Sequence, residues 1–365
     1  MFTNGDRRTM SAIAPLAQRL LHRLTTPLLP DDYLTLFNPQ WSQRTLQARI
    51  VSVDRETDDA TTLTLRPPAR WGGHRAGQYL RVGAVVDGVR HSRCYSISSA
   101  PTTAGGDIQI TVKAIADGRV SQALAHQTRV NDYLEISDAE GAFCWPEAIP
   151  QRALFISAGS GITPLMSMAR DAAAQGRLPA LTWLHYAPRQ NDVILGTALQ
   201  ALADAHPQID LQLICTREGG HHLTPADLAS RCPDWTTRPA WSCGPTALLE
   251  TVEALWAETP DAAPLTVERF RPRAVPLSDV TGGRLTFLSS GGGVDSDGRT
   301  SMLETAEAAG LMPKHGCRMG ICHGCTVKLK QGQVRDLRTG QCFGDEDDLI
   351  QICVCAPAGD VAIEL

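Results

Sequence analysis

The chain is poor in aromatic residues, which make up 5% of it, and it has no excess of positive charge. Its formal net charge of −5 argues against general nucleic-acid binding, which needs a basic surface. No run of about eighteen apolar residues occurs, so the sequence predicts no membrane-spanning helix. Residues 1–10 are polar and basic and lead into no apolar core with a small-residue cleavage site, so no secretory signal is expected.

Length and composition are those of an ordinary globular protein. At 365 residues two or three domains are expected, and 43% hydrophobic with 20% charged residues is a usual balance. The 11 cysteines would be unusual as disulfides in a chain of this size without a secretory signal. We therefore expect a cytoplasmic protein whose thiols stay reduced and free to bind metal.

The most informative stretch is a group of cysteines near the C-terminus. Cys317, Cys322 and Cys325 have the spacing C-x4-C-x2-C, and Cys353 and Cys355 follow in a later segment. Three thiolates on one loop and a fourth from a later strand are typical of a plant-type [2Fe–2S] cluster. A zinc site is the alternative, but structural zinc usually takes its ligands as paired C-x2-C units, and one such unit is present here.

This region resembles the plant-type ferredoxin domain over residues 283–365. The resemblance implies an α+β, β-grasp-like domain. In the family pattern the last ligand precedes a proline by four residues, which matches Cys353 and Pro357. The implied metal ligands are Cys317, Cys322, Cys325 and Cys353. Cys355 is the alternative for the fourth position.

The first 41 residues have a different pattern. Apolar residues at positions 13, 16, 17, 20, 21 and 24 recur at helical spacing, and prolines at 27 and 30 then break the helix. We predict an N-terminal helical leader over 1–41, which either packs on the next domain or contacts a membrane or a membrane-bound partner. The order of residues in this leader resembles that in reductases that serve fatty-acid desaturases.

Residues 42–149 read as short strands separated by turns. Six segments alternate or are rich in β-formers, and Gly, Pro and Asp residues separate them. The predicted strands are 46–53, 61–65, 78–82, 89–97, 108–112 and 133–137. Six short strands at this spacing favour a small antiparallel β-barrel.

One of these strands carries the pattern Arg93-x-Tyr95-Ser96, which resembles the flavin-binding strand of the ferredoxin–NADP reductase superfamily. The resemblance implies that Arg93 holds a flavin phosphate, Tyr95 stacks on the isoalloxazine ring and Ser96 reaches its N5/O4 edge. A second segment resembles the family's other phosphate site, with cofactor-binding residues Val112, Lys113, Gly118, Val120 and Ser121. Two anion sites suit a diphosphate, so FAD is favoured over FMN.

Residues 150–272 alternate between buried-strand runs and helical segments, which predicts an α/β domain with a doubly wound parallel sheet. Its first glycine loop is G-x-G-x-x-P and resembles the nucleotide loop of the same superfamily. A second loop, Cys-Gly-Pro, resembles the segment that lies against the nicotinamide. The implied NAD(P)-binding residues are Gly159, Gly161, Thr163, Pro164, Cys243, Gly244 and Pro245.

The end of a later strand bears on the choice of nucleotide. Thr216 and Arg217 resemble the residues that bind the 2′-phosphate in NADP-linked members. The adjacent Glu218 keeps NADH open, so NADPH is favoured and NADH is the alternative. Residues 273–282 read as a stiff linker between this domain and the ferredoxin domain.

Taken together, almost the whole chain resembles the flavin/iron–sulfur reductases of multicomponent oxygenases and desaturases. The resemblance implies electron flow from NADPH through FAD and [2Fe–2S] to a terminal oxygenase, with Tyr95, Ser96 and Cys243 as catalytic residues. We expect the acceptor to be a membrane fatty-acid desaturase or hydroxylase, which would bring a cytoplasmic protein to the membrane through its partner. A soluble ring-hydroxylating oxygenase is the alternative acceptor, and a low-turnover redox sensor or carrier is the alternative of another class.

Overall fold

The structure is a computed structural model that describes residues 30–86, 89–102, 106–116, 118–270, 280, 282–321 and 323–365. The leader helix predicted around residues 13–24 and most of the predicted linker lie outside these residues. The described chain begins with helix α1 (Pro30–Phe37), whose last residues Leu36 and Phe37 are 77% and 84% exposed. Among the residues described, none of the helices is long and apolar enough to cross a bilayer.

The first domain is the predicted antiparallel barrel. Its strands are β1 (Leu46–Thr57), β2 (Ala60–Arg66), β3 (Tyr79–Val86), β4 (Val89–Ser96), β5 (Ile108–Lys113) and β6 (Tyr133–Ile136), and helix α2 (Arg119–His126) follows β5. They pair in the order β4-β3-β6-β1-β2-β5, and a bridge between Ile97 and Ile110 joins the two outer strands into a barrel. Strand β1 continues beyond the predicted end at 53 because its pairing with β2 runs on to the tight turn, where Thr57 faces Ala60.

The second domain is a five-stranded sheet in which every pair is parallel. Its strands are β7 (Arg152–Ala158), β8 (Ala180–Ala187), β9 (Ile209–Cys215), β10 (Ala240–Cys243) and β11 (Leu265–Glu268), in the order β11-β10-β7-β8-β9. Its helices are α3 (Ile162–Ala174), α4 (Gly196–Ala205), α5 (Pro225–Arg231) and α6 (Thr246–Ala257). Apolar residues of the central strands form one core cluster on each face, as expected for a sheet covered by helices on both sides.

The C-terminal domain combines one helix, α7 (Met302–Ala308), with two small sheets. Its strands are β12 (Gly283–Phe287), β13 (Gly292–Ser296), β14 (Thr326–Gln331), β15 (Val334–Asp336), β16 (Cys342–Phe343), β17 (Leu349–Gln351), β18 (Cys355–Pro357) and β19 (Val361–Ile363). They form the sheets β13-β12-β19-β14-β17 and β16-β15-β18. Ser301 is the N-cap of α7: its hydroxyl accepts a hydrogen bond from the Glu304 N–H at 3.2 Å and donates to the Glu304 carboxylate at 3.1 Å. The three predicted fold types are therefore confirmed.

Candidate functional site

A cavity of about 1780 Å³ lies where the barrel faces the C-terminal domain. Arg93, Tyr95 and Ser96 of β4 line it from the barrel, and Cys317 and Met319 line it from the other side. Ser96 is 4% exposed, and its buried hydroxyl has no hydrogen-bond partner among the described residues. Because a buried hydroxyl without a partner is costly, this atom fits a site in which a bound group completes its hydrogen bonding.

The second predicted phosphate segment contributes to the same cavity. Lys113, Gly118, Val120 and Ser121 all line it. The Ser121 hydroxyl is used within the loop, since it donates to the Gly118 carbonyl at 3.0 Å and accepts from the Ile115 N–H at 3.2 Å. Ser121 thus shapes the turn, and the backbone N–H groups at the start of α2 are the donors left for an anion.

Val112 occupies a different position from the rest of its segment. Its side chain is fully buried in the barrel core and does not line the cavity. The side chain of Val112 therefore supports the fold of the barrel at this point rather than facing the cavity.

The two predicted nicotinamide loops touch each other at Gly161 and Cys243. A Cβ atom on Gly161 would lie 2.1 Å from the Cys243 carbonyl oxygen, so only glycine allows this approach. Thr163 lines the cavity and donates its hydroxyl to the Ser160 carbonyl at 2.9 Å, which closes the turn that leads into α3. Gly159 and Pro164 flank this turn without lining the cavity.

Cys243 lies beneath the cavity surface. It is fully buried, and burial raises the pKa of its thiol well above the ordinary value. Gly244 passes close to the first loop, because a Cβ there would lie 3.2 Å from the Ala158 nitrogen. Cys243, Gly244 and Pro245 are therefore neighbours of the cavity wall and not part of its lining.

The structure adds one candidate residue that the sequence interpretation missed. Glu268, the last residue of β11, pairs in register with Cys243 and lines the cavity together with Ser96. Burial raises the pKa of Glu268 to about 8. Its Oε2 atom is buried without a hydrogen-bond partner among the described residues. A carboxylic acid as the last residue of a strand was the signal in the sequence, and we interpreted it as an ordinary strand residue.

The predicted 2′-phosphate residues lie away from the cavity, at the C-terminal end of β9. Thr216 and Arg217 are anchored by their N–H groups, which donate to the carbonyls of Ala187 and Pro188 at 2.9 and 2.8 Å. The Arg217 side chain is exposed. The Glu218 carboxylate accepts a hydrogen bond from the Gln190 N–H at 2.9 Å, which engages one of its oxygens with the neighbouring loop.

The cysteine loop winds through three residues with positive φ, Arg318 (59°), Gly320 (71°) and His323 (55°). This winding points the N–H groups of Met319 and Ile321 at the Cys317 sulfur, at 3.4 and 3.5 Å. Hydrogen bonds to the sulfurs are a feature of the loops that hold iron–sulfur clusters. The loop thus fits an iron–sulfur cluster.

Cys317, Cys325 and Cys353 are each less than 10% exposed, whereas Cys322 lies outside the described residues. A hydrogen bond from the Cys353 thiol lowers the pKa of Cys325 to about 6. For Cys355, burial is the main effect and raises the thiol pKa to about 12. The direct contact between the thiols of Cys325 and Cys353 favours Cys353 over Cys355 as the fourth ligand. Among the described residues, which do not include Cys322, no group of three or more His, Cys, Asp or Glu side chains is placed to hold a metal ion.

Comparison with known proteins finds three family models along the chain. They are an oxidoreductase FAD-binding domain over 47–145, an oxidoreductase NAD-binding domain over 155–224, and a 2Fe-2S iron-sulfur cluster binding domain over 291–358. A NADPH oxidoreductase of Mycobacterium tuberculosis is 39% identical over 354 residues, covering 95% of this chain and 92% of the relative.

Two further relatives have names that state an oxygenase partner. The ferredoxin reductase component of the 3-ketosteroid-9-alpha-monooxygenase of Mycobacterium tuberculosis is 30% identical, covering 86% of this chain and 94% of the relative. The glycine betaine monooxygenase reductase subunit of Chromohalobacter salexigens is 28% identical, and the match covers 90% of this chain and 98% of the relative. Among solved structures, phthalate dioxygenase reductase has the same fold, with a TM-score of 0.63 and 22% identity over 88% of this chain and 98% of that one.

Proposed function

The chain belongs to the flavin/iron–sulfur reductases of the ferredoxin–NADP reductase superfamily, and on this premise we propose that it oxidises NADPH and supplies single electrons to a separate oxygenase component. Its cofactors are FAD and a [2Fe–2S] cluster, and its reductant is a nicotinamide dinucleotide. The observation that best supports the proposal is the shared cavity. Tyr95 and Ser96 on one side and Cys317 on the other face the same space, so the flavin and cluster sites adjoin.

The protein's own residues perform binding and positioning. When bound, FAD supplies the chemistry that accepts a hydride pair and releases electrons singly. Arg93 and the backbone at the start of α2 would bind its phosphates, and Tyr95 would face its ring. The Ser96 hydroxyl and the Glu268 carboxyl, whose raised pKa favours its protonated form, line the same cavity. The loops at Gly161 and Cys243 position the nicotinamide, and their contact keeps the site rigid.

NADPH is the better supported reductant. Arg217 is an exposed guanidinium at the end of β9, where a 2′-phosphate is expected, and one Glu218 oxygen is bound to the Gln190 N–H. The relative that is 39% identical is named a NADPH oxidoreductase. We therefore propose NADPH as the physiological electron donor.

The relatives' names favour an oxygenase partner over a desaturase. In the sequence interpretation a soluble oxygenase was the alternative acceptor. Several are reductase components or subunits of monooxygenases. The expectation of a fatty-acid desaturase finds no support in these names. We propose that the terminal acceptor is a multicomponent oxygenase and that this reductase is located in the cytoplasm.

A membrane desaturase or hydroxylase remains a second candidate because of the N-terminal segment. Leu36, Phe37 and Trp41 are 77%, 84% and 53% exposed, which is unusual for large apolar side chains so close together.

The main proposal is tested by adding NADPH anaerobically to the purified protein. We expect the flavin absorbance to bleach, a one-electron EPR signal from the reduced cluster to follow, and steady reduction of cytochrome c in air. A protein without iron, or one that responds to neither NADPH nor NADH, would refute the proposal. A single turnover without steady cytochrome c reduction would indicate the redox sensor instead.

The two acceptors are separated by replacing Leu36 and Phe37 with serine. If the exposed segment contacts a membrane-bound acceptor, the double variant should lose about 10-fold in coupled desaturase turnover and keep its cytochrome c reductase rate. Val85→Ser, which removes an equally exposed apolar side chain from the barrel, is the control. Equal coupling of all three proteins would remove the support for the desaturase.

A further inference from the structure

Basic side chains from two domains meet at the shared cavity. His91 and Arg93 come from β4 and Arg119 from the start of α2, while His315 and Arg318 come from the C-terminal domain. Arg318 lies in the cysteine loop, directly after Cys317. We call these five residues the cross-domain basic cluster.

Nearby carboxylates only partly balance this charge. Glu307 of α7 forms an ion pair with Arg318, and its Oε1 atom lies 3.8 Å from His315. Burial lowers the pKa of Arg93, and the positive charge of Arg318 lowers it further. A buried arginine held close to a second one is unfavourable unless an anion lies between them.

Two donors in the cluster also point at no partner. The Nε atom of Arg318 and the ring nitrogens of His91, one of which carries a hydrogen in the neutral imidazole, are buried, and none of them has a hydrogen-bond partner among the described residues. The Arg93 guanidinium donates to the carbonyl of its own neighbour, Ser92, at 2.8 Å. Buried donors of this kind are costly unless a ligand accepts from them. The cluster therefore has the charge and the free donors of an anion site.

We propose that Arg318 of the cysteine loop completes the diphosphate site of bound FAD, together with Arg93 and the first turn of α2. The proposal rests on the function proposed above and assigns part of the flavin site to the ferredoxin domain. A guanidinium binds phosphate oxygens with two parallel hydrogen bonds, which suits a diphosphate held between two domains.

The consequence is a coupling between flavin binding and domain docking. If the diphosphate contacts residues of both domains, FAD draws the ferredoxin domain onto the barrel, and the docked domain in turn tightens FAD binding. Such coupling ensures that the cysteine loop is in place whenever the flavin is present. Riboflavin, which has the same ring but no phosphate, should lack the effect.

The test compares FAD with riboflavin as probes of flavin-depleted protein that retains its cluster. Arg318→Gln should weaken FAD binding on the order of 10- to 100-fold and leave riboflavin binding within about 2-fold, because only FAD has the diphosphate. Arg299→Gln, which replaces an exposed arginine of the same domain, is the matched control and should change neither affinity. Arg318→Lys keeps the positive charge but loses the planar guanidinium that can make two parallel hydrogen bonds. Its affinity for FAD should therefore lie between those of the wild type and Arg318→Gln.

Equal weakening of FAD and riboflavin, or no weakening of either, would overturn the proposal. If Arg318→Gln loses its cluster absorbance, Arg318→Lys carries the test with the same two probes. Small-angle scattering gives an independent measurement, since FAD should reduce the radius of gyration of the wild type and riboflavin should not. Failure of the wild type to bind FAD at all would instead refute the proposed function, so the two failures are distinguishable.

Discussion

At the scale of single residues, the structure shows how a side chain that looks ordinary in the sequence acquires a special environment. Glu268 is one of several acids near the end of its domain, and only its place beside Ser96 and Cys243 sets it apart. Its carboxyl is buried without a partner for Oε2 among the described residues. A buried acid of this kind favours its protonated form.

This environment predicts a pH-dependent stability. The pKa of Glu268 is about 8 in the folded protein against an ordinary 4.5, so the folded state keeps a proton that the unfolded state releases. The stabilisation is complete below about pH 4.5 and is lost as the pH rises through 8. Glu268→Gln should remove roughly 1 kcal/mol per pH unit from the slope of unfolding free energy between pH 5 and 8. Chemical denaturation of the flavin-depleted protein at several pH values measures this slope.

The control for this measurement is Glu250→Gln, on the exposed surface of α6. It should keep the slope of the wild type. Parallel pH profiles for Glu268→Gln and the wild type would show that Glu268 does not retain its proton in the folded state.

At the scale of secondary-structure elements, the end of β9 carries the residues that we propose to distinguish NADPH from NADH. The N–H groups of Thr216 and Arg217 donate to the carbonyls of Ala187 and Pro188, where the neighbouring strand β8 ends. The Arg217 guanidinium is exposed. The ends of parallel strands are where doubly wound sheets bind nucleotides. The end of β9 therefore presents a cation at the position where we expect the 2′-phosphate of NADPH.

We predict that Arg217→Ala lowers kcat/KM for NADPH by about 10- to 100-fold, because it removes a charge-assisted contact to phosphate, and changes the value for NADH by less than about 3-fold. Steady-state cytochrome c reduction with each nucleotide measures the change. Arg177→Ala, an exposed arginine after α3, is the control and should alter neither value. An equal loss with both nucleotides would assign Arg217 a structural role.

At the scale of the whole molecule, three domains place their ligand sites next to one another. The barrel and the C-terminal domain share the cavity, and the nucleotide domain reaches it through Thr163 and Glu268. Electron transfer between the sites then needs no large rearrangement in the conformation described here. This arrangement supports the proposed order of the cofactors, with the cluster last.

The order predicts the phenotype of a cluster mutant. Cys322→Ser should abolish cytochrome c reduction, because the cluster is lost, while NADPH still bleaches the flavin in a stopped-flow experiment at a rate within about 3-fold of the wild type. Cys342→Ser, which changes an exposed cysteine outside the motif, should keep both activities. If the flavin of Cys322→Ser failed to bleach, the proposed order of electron flow would be wrong.

Much of this protein could be read from local patterns. Strand alternation in the barrel and buried runs in the parallel sheet are properties of short segments, so the three fold types were predictable. The cysteine motif was readable for the same reason, since three of its four members lie on one loop. Residues with a role set by distant partners were not readable: Glu268 and Arg318 were missed, and the hydrogen bond of the Ser121 hydroxyl within its own turn was not foreseen.

The sequence by itself determined the domains, their order and the kinds of group they bind, because each motif is contiguous and its chemistry depends on spacing along the chain. Only the tertiary structure decided which residues share the cavity. It placed the Cys353 thiol against Cys325, buried Glu268 beside Ser96, and set Arg318 opposite Arg93. These contacts join segments far apart in sequence, and a pKa or an anion site depends on burial and charge in three dimensions.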